Sequence, residues 1–322
     1  MPSGITHIFL TKKLQDELED GVLKNILADG SDFMTIGAVG PDLPYASIAD
    51  GDFFFTNQSS LADNFHYKFT NQIPLRAFAT LKEMKGKSDK NLHRKMFTFF
   101  MGYTSHIFAD GIIHPFVRDK VGDYAKNKSA HRSLEMQLDV LLVEEFTKKS
   151  GLSLEFNYTE IHNELLDFAS YKESVETIKM FQRLIKEVYP SENHSTKTIT
   201  GWIKGLHRLF AVAEGEHPKI YRNLEANTFL YKNRKDIEPQ KVLFLNKPCD
   251  RNSNFINAPQ IQFFNDIIPQ YFRKYKQFAN KCYQYVYEDG PALTNRDIPL
   301  INLDTGRFIN NNDLNLIPEL WK

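Results

Sequence analysis

The stretch GYTSHIFADGIIHPF, residues 102–116, decides how this chain folds, because it places His106, Asp110 and His114 four residues apart within an apolar run. On an α-helix, a step of four residues advances only about 40° around the axis while climbing one turn. The three side chains therefore form a ladder on one face of a predicted helix. An unpaired carboxylate in such apolar surroundings is costly to bury, so the spacing indicates a ligand site.

A second pair of this kind, His131 and Glu135 in AHRSLEMQLDVL, lies on the next predicted helix. Taken alone, such a pair is often an ordinary solvated pair, but two consecutive helices with the same pairing favour a shared site. Metal sites in helical bundles are built from inward-facing His and carboxylate side chains on neighbouring helices. Imidazole and carboxylate without thiolate suit zinc or another borderline divalent metal, and a carboxylate between imidazoles can bridge two ions.

Helical periodicity dominates the rest of the chain. From Phe9 onward, apolar residues at a spacing of three to four predict a helix that stops at Gly30, and residues 37–58 are expected to form a long loop. Pro269 is expected to start or kink the last helix. Strand pairs with clean alternation are missing, so we predict an all-α fold. The further predicted helices cover residues 73–84, 92–117, 129–149, 160–169, 174–188, 198–225 and 261–287.

The length of 322 residues fits one large globular body. We expect one all-α domain over residues 1–290, with the metal site in residues 1–150 and a further helical layer in residues 151–290. Within that layer, residues 226–260 are polar and are expected to be an irregular excursion. Residues 291–322, rich in Asp, Asn and Pro, are expected to be an irregular C-terminal tail.

The composition excludes several classes of protein. Forty basic residues balance forty acidic ones, and this neutral balance argues against a non-specific nucleic-acid binder. Two cysteines, Cys249 and Cys282, are too few for a disulfide scaffold. The N-terminus MPSGITHIFL lacks the features of a leader, and an apolar run long enough to span a membrane is missing. We therefore expect a soluble, cytoplasmic protein, with leaderless secretion as the alternative.

Three further side chains are candidate ligands only when they are considered together with the ladder. Asp42 lies in GAVGPDLPY, where glycine and proline fix a turn, and His66 lies beside aromatic residues in DNFHYKF. His7, in SGITHIF, comes at the start of the first predicted helix. Singly, each has a common structural explanation: an Asx hydrogen bond, a core histidine or a residue near a helix cap.

Taken in chain order, these motifs resemble the zinc-dependent phospholipase C family, in particular the branch containing the catalytic domain of glycosylphosphatidylinositol-specific phospholipase D. The resemblance covers roughly residues 1–150. Three residues separate Asp110 from His114, as in that branch. The secreted bacterial phospholipases and single-strand-specific zinc nucleases, which share the fold, place more residues there.

The resemblance implies a trinuclear zinc site between the helices of an all-α domain. By this resemblance the first zinc is held by Asp42, His66, His106 and Asp110. Asp110 bridges to a second zinc, which is also bound by His7, and the remaining zinc is held by His114, His131 and Glu135. The family completes the His7 zinc with the amine and carbonyl of its processed N-terminal residue. Because Pro2 is small and favours removal of Met1, we expect Pro2 to supply that ligand.

The implied activity is that of a metal-dependent phosphodiesterase, most simply a phospholipase C-like hydrolase that attacks a lipid phosphodiester with transient contact to a membrane surface. Asp42 either completes the first zinc shell or acts as general base toward water. Asp139, one turn beyond Glu135, is a candidate for orienting a ligand through a hydrogen bond, although an aspartate at such a position is more often an ordinary solvated acid. Aromatic residues near the ligands are more often core, but they could line a substrate pocket: Tyr45, Phe53, Phe54, Phe55, Phe65 and Tyr67.

Two other classes of function stay open at this stage. One is a single-strand nuclease or nucleotidase on the same scaffold, against which the neutral charge and the spacing from Asp110 to His114 both count. The other is a non-catalytic protein that binds zinc for folding only. Such a site is coordinatively closed, whereas a hydrolase keeps an open position for water.

Overall fold

The computed structural model describes residues 4–49, 58–124, 126–150, 158–213, 261–311, 313 and 315–322, and these are mostly helical. The predicted all-α fold is confirmed. The α-helices, in chain order, are α1 Gly4–Glu17, α2 Val22–Asp29, α3 Ser31–Ala38, α4 Ser59–Tyr67, α5 Gln72–Met84, α6 Lys90–Val121, α7 Lys128–Ser150, α8 Tyr158–Ser170, α9 Lys172–Val188, α10 Thr196–Ala213 and α11 Ile268–Tyr287. A 3₁₀ helix, Gly40–Ala49, follows α3, and a π-helical turn, Phe263–Ile267, leads into α11.

The long helix α6 forms the centre of the molecule. Nearly every side chain from Met96 to Val117 is buried, which explains why this stretch is apolar all round rather than amphipathic. The helix begins at Asp89, whose side chain accepts a hydrogen bond of 2.9 Å from the backbone N–H of Leu92. It ends before Gly122, which has φ of 85°.

Helix α3 crosses α6 at backbone contact through two glycines. A Cβ on Gly37 would lie 2.0 Å from the carbonyl oxygen of Phe99, and one on Gly102 would lie 2.2 Å from that of Met34. Any larger residue would force the two helices apart. This close crossing brings the end of α3 and the following 3₁₀ helix beside the middle of α6, where the histidine ladder lies.

Several predicted boundaries are wrong in the N-terminal region. The helix predicted from Phe9 to Gly30 is two helices, α1 and α2, because the polar residues up to Gly21 interrupt the pattern. The region 37–58, predicted as a loop, contains the 3₁₀ helix Gly40–Ala49. Helices α3 and α4 were not predicted, since short helices beside glycine-rich turns carry little periodic signal.

The later helices agree with their predicted positions within a few residues. Pro269 lies in the first turn of α11 and therefore starts this helix without kinking it. The predicted helix over 198–225 is α10, which the structure describes as far as Ala213. The predicted excursion over 226–260 lies outside the described residues.

The chain after α11 packs against α6, although we expected residues 291–322 to be an irregular tail. Its described residues contain a two-residue antiparallel ladder, Ile301–Asn302 with Arg307–Phe308, and a 3₁₀ turn, Glu319–Trp321. Ile301 and Leu303 are fully buried. Within the ranges that the structure describes, no helix is both long and apolar enough to pass through a bilayer.

Candidate metal centre

The ladder on α6 is present and buried. His106, Asp110 and His114 lie one turn apart, and each side chain is almost completely inaccessible to solvent. Asp110 lies between the two histidines, and its two carboxylate oxygens face different groups of ligands. We name these groups by the oxygen that they surround. The Oδ2 set consists of Asp42, His66 and His106, and the Oδ1 set consists of His7, His114, His131 and Glu135.

Around Oδ2, the side chains of His66, His106 and Asp110 have the spacing of ligands on one metal ion. Oδ2 of Asp110 lies 3.3 Å from Nε2 of His106 and 3.5 Å from Nε2 of His66. The two Nε2 atoms are 3.2 Å apart, and Oδ1 of Asp42 is 3.4 Å from Nε2 of His66. Ligand atoms bound tetrahedrally to zinc at about 2.0 Å lie roughly 3.3 Å from one another. His66, His106 and Asp110 therefore fit one zinc ion between them, and Asp42 lies beside His66 as a further candidate ligand.

The ligand atoms of the Oδ1 set are spaced more widely. Oδ1 of Asp110 lies 3.2 Å from Nε2 of His7 and 3.8 Å from Nε2 of His114. Nε2 of His114 is in turn 4.0 Å from Oε1 of Glu135 on α7. His131, one turn before Glu135, is also buried. Thus the structure brings together His7, Asp42, His66, His106, Asp110, His114 and Glu135 and buries His131 one helical turn from Glu135, while Pro2 lies outside the described residues.

Two histidines of the Oδ2 set are oriented by nearby backbone carbonyls. Nδ1 of His66 donates to the carbonyl of Ala62, one turn earlier on α4, at 2.6 Å. Nδ1 of His106 donates to the carbonyl of Ala38, at the end of α3, at 2.8 Å. Because a carbonyl can only accept, these bonds place the ring proton on Nδ1 and direct the lone pair of Nε2 into the centre.

The histidines of the Oδ1 set use more distant carbonyls. Nδ1 of His114 donates to the carbonyl of Leu303, in the chain after α11, at 2.9 Å. His131 donates from Nε2 to the carbonyl of Gly122 at 2.6 Å, so that its Nδ1 is the nitrogen available to a metal. Among the described residues, neither Oδ1 nor Oδ2 of Asp110 accepts a hydrogen bond of ordinary geometry. A buried carboxylate left in this way, amid imidazole lone pairs, fits a bound cation.

The donor set and the comparison with known families agree. The chain matches the family described as zinc dependent phospholipase C over residues 6–214. It belongs to this family. No curated protein and no solved structure was found to match the chain. The match extends well beyond the ligand motifs of residues 1–150, on which the resemblance was based.

In this zinc-dependent phospholipase C-like protein, His7 lies between the two sets. Its ring stacks on that of His106, with centroids 3.8 Å apart and an interplanar angle of 11°. Two groups of side chains have ligand atoms within 4.8 Å of one another, and they share His106: His7, Asp42 and His106, and His66, His106 and Asp110. His7 therefore reaches both Asp110 and the Oδ2 set.

Helix α1 is fixed beside the centre by Asp139 on α7. The backbone N–H and the hydroxyl of Thr6 both donate to Oδ1 of Asp139, at 3.0 and 2.6 Å. These bonds hold the start of α1, and with it His7, against α7. Asp139 thus supports the centre through the residue that precedes His7, which its predicted role as a support for a ligand did not specify.

Burial and neighbouring charges shift the pKa values of the carboxyl groups in different directions. Burial disfavours the ionised form of Asp110, but His114 and His106 outweigh it, and the pKa of Asp110 lies well below its ordinary value. The same balance, with His106 and His66 as partners, lowers the pKa of Asp42 to about 2. Burial dominates at Glu135 and raises its pKa to about 7. Two carboxylates are therefore ionised and ready to bind a cation at neutral pH.

Tyrosine rings border the centre. Tyr45 donates to Asp63 at 2.6 Å, and its ring centroid is 6.0 Å from that of His66. Tyr67 is 6.3 Å from His66, and Tyr124, which sequence reasoning missed, meets His131 edge-on at 5.3 Å. Phe65, predicted with the pocket, is buried in the core. The predicted pocket residues Phe53, Phe54 and Phe55 lie outside the described residues.

Proposed function

We propose that this protein is a zinc-dependent phosphodiester hydrolase of the phospholipase C type, with three zinc ions. One observation carries the proposal: three imidazoles, those of His66, His106 and His114, surround the buried carboxylate of Asp110, and each is fixed by a hydrogen bond to a backbone carbonyl. Orientation of each ligand by an outer partner is typical of functional metal sites. Membership of the zinc-dependent phospholipase C family supports the same assignment.

The ligands divide between the two oxygens of Asp110. The first zinc would be held by Asp110 Oδ2 and the Oδ2 set, in line with the ligand spacing of 3.2 to 3.5 Å there. The second would be held by Asp110 Oδ1 with His7, and Pro2 is proposed as its terminal ligand. The third would be held by His114, His131 and Glu135. Bound zinc ions supply an activated water molecule and positive charge for the phosphate oxygens.

Asp42 is the ligand that faces solvent most. Its side chain is 15% exposed, whereas that of Asp110 is fully buried. A carboxylate at this edge, ionised because its pKa is lowered to about 2, can accept a hydrogen bond from the attacking water and orient it toward phosphorus. We therefore assign Asp42 both as a ligand and as the catalytic residue that positions water.

The proposed substrate is a phospholipid, and the proposed products are diacylglycerol and a phosphorylated headgroup. Water attacks phosphorus, the bond from phosphorus to the glycerol oxygen breaks, and that oxygen takes up a proton. The spacing from Asp110 to His114 favours a lipid-type relative. Transient contact with a membrane surface is part of the proposal, and it is supported by the exposed apolar side chains of Ile48 and Phe69, close in sequence to Asp42 and His66.

The test combines zinc analysis with a panel of four substrates: phosphatidylcholine, phosphatidylinositol, a soluble p-nitrophenyl phosphodiester and single-stranded DNA. We expect about three zinc ions per chain and release of diacylglycerol from at least one phospholipid. Release of phosphatidic acid instead would mean D-type cleavage, and cleavage of DNA alone would refute the lipid assignment. Full zinc loading without any hydrolysis would favour the non-catalytic class.

The chain offers a matched control for this test. His66 and His93 are both buried, and each bonds to a backbone carbonyl, but the partners of His93 are Leu81 and Tyr287, away from the other ligands. His66→Gln should lower the rate at least about 10²-fold, because the substitution removes a ligand of the first zinc. His93→Gln should leave the zinc content unchanged.

A further inference from the structure

A segment that follows α11 touches ligands of both sets. We call residues 298–308 the strap; they lie outside the family match over residues 6–214. The backbone N–H of Leu303 donates to the carbonyl of His66 at 3.0 Å, and its own carbonyl accepts from Nδ1 of His114 at 2.9 Å. A single residue of the strap therefore contacts a ligand on each side of Asp110.

The strap is held against the helices by specific bonds. The hydroxyl of Thr70 donates to the carbonyl of Ile301 at 2.8 Å, and the amide of Asn71 donates to that of Ile298 at 2.7 Å. Gly306, at φ of 66°, sits so close that a Cβ there would lie 2.5 Å from the carbonyl oxygen of Gly111 on α6. These contacts fix the position of the strap along the axis of α6, beside the ligands.

Arg118, on the last turn of α6, joins the strap to a second segment. Its guanidinium donates to Asp304 in the strap, and through Nη2 it donates to Asp123 at 2.8 Å. Asp123 follows Gly122, whose carbonyl orients His131, and Asp304 follows Leu303, whose carbonyl orients His114. One guanidinium thus binds the two residues that directly follow the carbonyls orienting His114 and His131.

The chemistry of arginine suits this position. A planar guanidinium presents its donors in a fixed fork and can serve two carboxylates at once, which a lysine ammonium cannot do with the same geometry. The side chains of Arg118 and Asp304 are only 11% and 13% exposed, so water screens this pair weakly. Burial acts to lower the pKa of Arg118, but Asp304 and Asp123 raise it overall, and the group stays charged.

We propose that Arg118 is a positioning residue for the zinc bound by His114, His131 and Glu135, acting through the carbonyls of Leu303 and Gly122. Its guanidinium bonds to Asp304 and Asp123, neither of which is a proposed metal ligand. By fixing Asp304 and Asp123 it holds the two carbonyls at the distances that orient the two imidazoles. The inference rests on the proposed metal centre, but it concerns a residue that the ligand motifs do not include.

The experiment compares Arg118→Met with Lys281→Met in the full chain. Lys281 pairs with Asp297, the residue before the strap, so its substitution removes a neighbouring, more exposed ion pair and leaves both carbonyls in place. Zinc retention is measured by titration with a competing chelator. Cobalt substitution then reports the coordination of each site through its visible absorption. In Arg118→Met we expect one of three ions to bind about 10-fold to 100-fold more weakly, with a changed cobalt spectrum.

The outcomes separate this inference from the proposed function. Lys281→Met should retain all its zinc, and Arg118→Lys should restore part of the lost affinity and serve as the milder variant if Arg118→Met folds poorly. If native protein and Arg118→Met bind zinc alike, the positioning role is refuted while the metal centre stands. Equal weakening of all three ions would also refute it, since it would indicate general destabilisation. A native protein that binds no zinc would overturn both.

Discussion

The two sides of Asp110 are built differently. On the Oδ2 side, the measured distances between ligand atoms are 3.2 to 3.5 Å, and the supporting carbonyls belong to α3 and α4, at Ala38 and Ala62. On the Oδ1 side, distances reach 4.0 Å, and one supporting carbonyl comes from Leu303, 189 residues after His114. The strap contacts both sides, but the imidazoles of the first side are oriented by carbonyls of neighbouring helices, whereas one imidazole of the second is oriented by a carbonyl of the strap itself.

The ladder on α6 makes both sides possible. Because four residues advance about 40° around a helix, His106 and His114 lie on opposite sides of Asp110 along one drifting line. Each oxygen of Asp110 then meets the histidine on its own side, at 3.3 Å and 3.8 Å. A carboxylate in this position can bind two ions with one side chain, so the two sides are coupled through Asp110.

Asp110→Asn should break both sides at once, which is the largest effect that we expect. An amide keeps the shape of the carboxylate but carries no charge. The ion proposed at Oδ1 and the ion proposed at Oδ2 should therefore both bind weakly. We expect two of the three zinc ions to be lost together, measured as zinc per chain after dialysis, with activity falling at least about 10²-fold.

The control for this substitution is Asp297→Asn, which changes another largely buried aspartate that is paired with Lys281 instead of histidines. It should retain the full zinc content. If Asp110→Asn loses a single ion, the carboxylate does not bridge, and the division of ligands into two sets is wrong.

The same contrast explains how much of the centre could be predicted from the sequence. The Oδ2 set lies in motifs whose residue types and spacing carry the chemistry, and α6 was predicted to within a few residues of its bounds. The supporting carbonyls were not predictable, because any residue supplies a carbonyl and only the fold decides which one meets a given imidazole. Leu303 and Gly122 carry no signal of this role in their side chains.

The fold shows a similar limit. Long helices with periodic apolar residues, such as α9 and α11, were predicted well, since tertiary packing follows their pattern. The short helices α3 and α4 were missed, yet they hold Ala38, the carbonyl partner of His106, and His66 itself. Their stability comes from packing against α6 through contacts such as the one at Gly37, and such contacts are long-range.

Gly37→Ala tests the preformed Oδ2 side and should have the next largest effect. A Cβ would lie 2.0 Å from the carbonyl oxygen of Phe99, so α3 must move away from α6. This movement would also separate the carbonyl of Ala38 from the imidazole of His106. We expect the free energy of unfolding of the metal-free protein to fall by about 3 kcal/mol or more in urea. Gly21→Ala, whose nearest contact is 4.0 Å away, should cost less than about 1 kcal/mol. A similar small loss at Gly37 would contradict the close crossing of α3 and α6.

The smallest expected effect concerns Glu135 on the more open Oδ1 side. Burial raises its pKa from 4.5 to about 7, so in the metal-free protein the folded state binds a proton more tightly than the unfolded state. The stability contributed by this proton is fully present below pH 4.5 and is lost as the pH rises through 7. The contribution of Glu135 to the free energy of unfolding should therefore fall by about 1 kcal/mol between pH 6 and 7, whereas the lowered pKa values of His114 and His131 act in the opposite direction over this range.

Glu135→Gln should abolish this fall, because an amide does not titrate, and urea unfolding of both proteins at the two pH values measures the difference. Asp42 cannot mimic the effect. Its pKa is lowered to about 2, so its contribution is present above its ordinary pKa of 3.8 and is lost only as the pH falls toward 2. Added zinc should reverse the trend in the native protein, since the metal binds the ionised form of Glu135 and gains affinity as the pH rises. If the two proteins show the same change in the free energy of unfolding between pH 6 and 7, the Oδ1 side does not hold its glutamate in the protonated form.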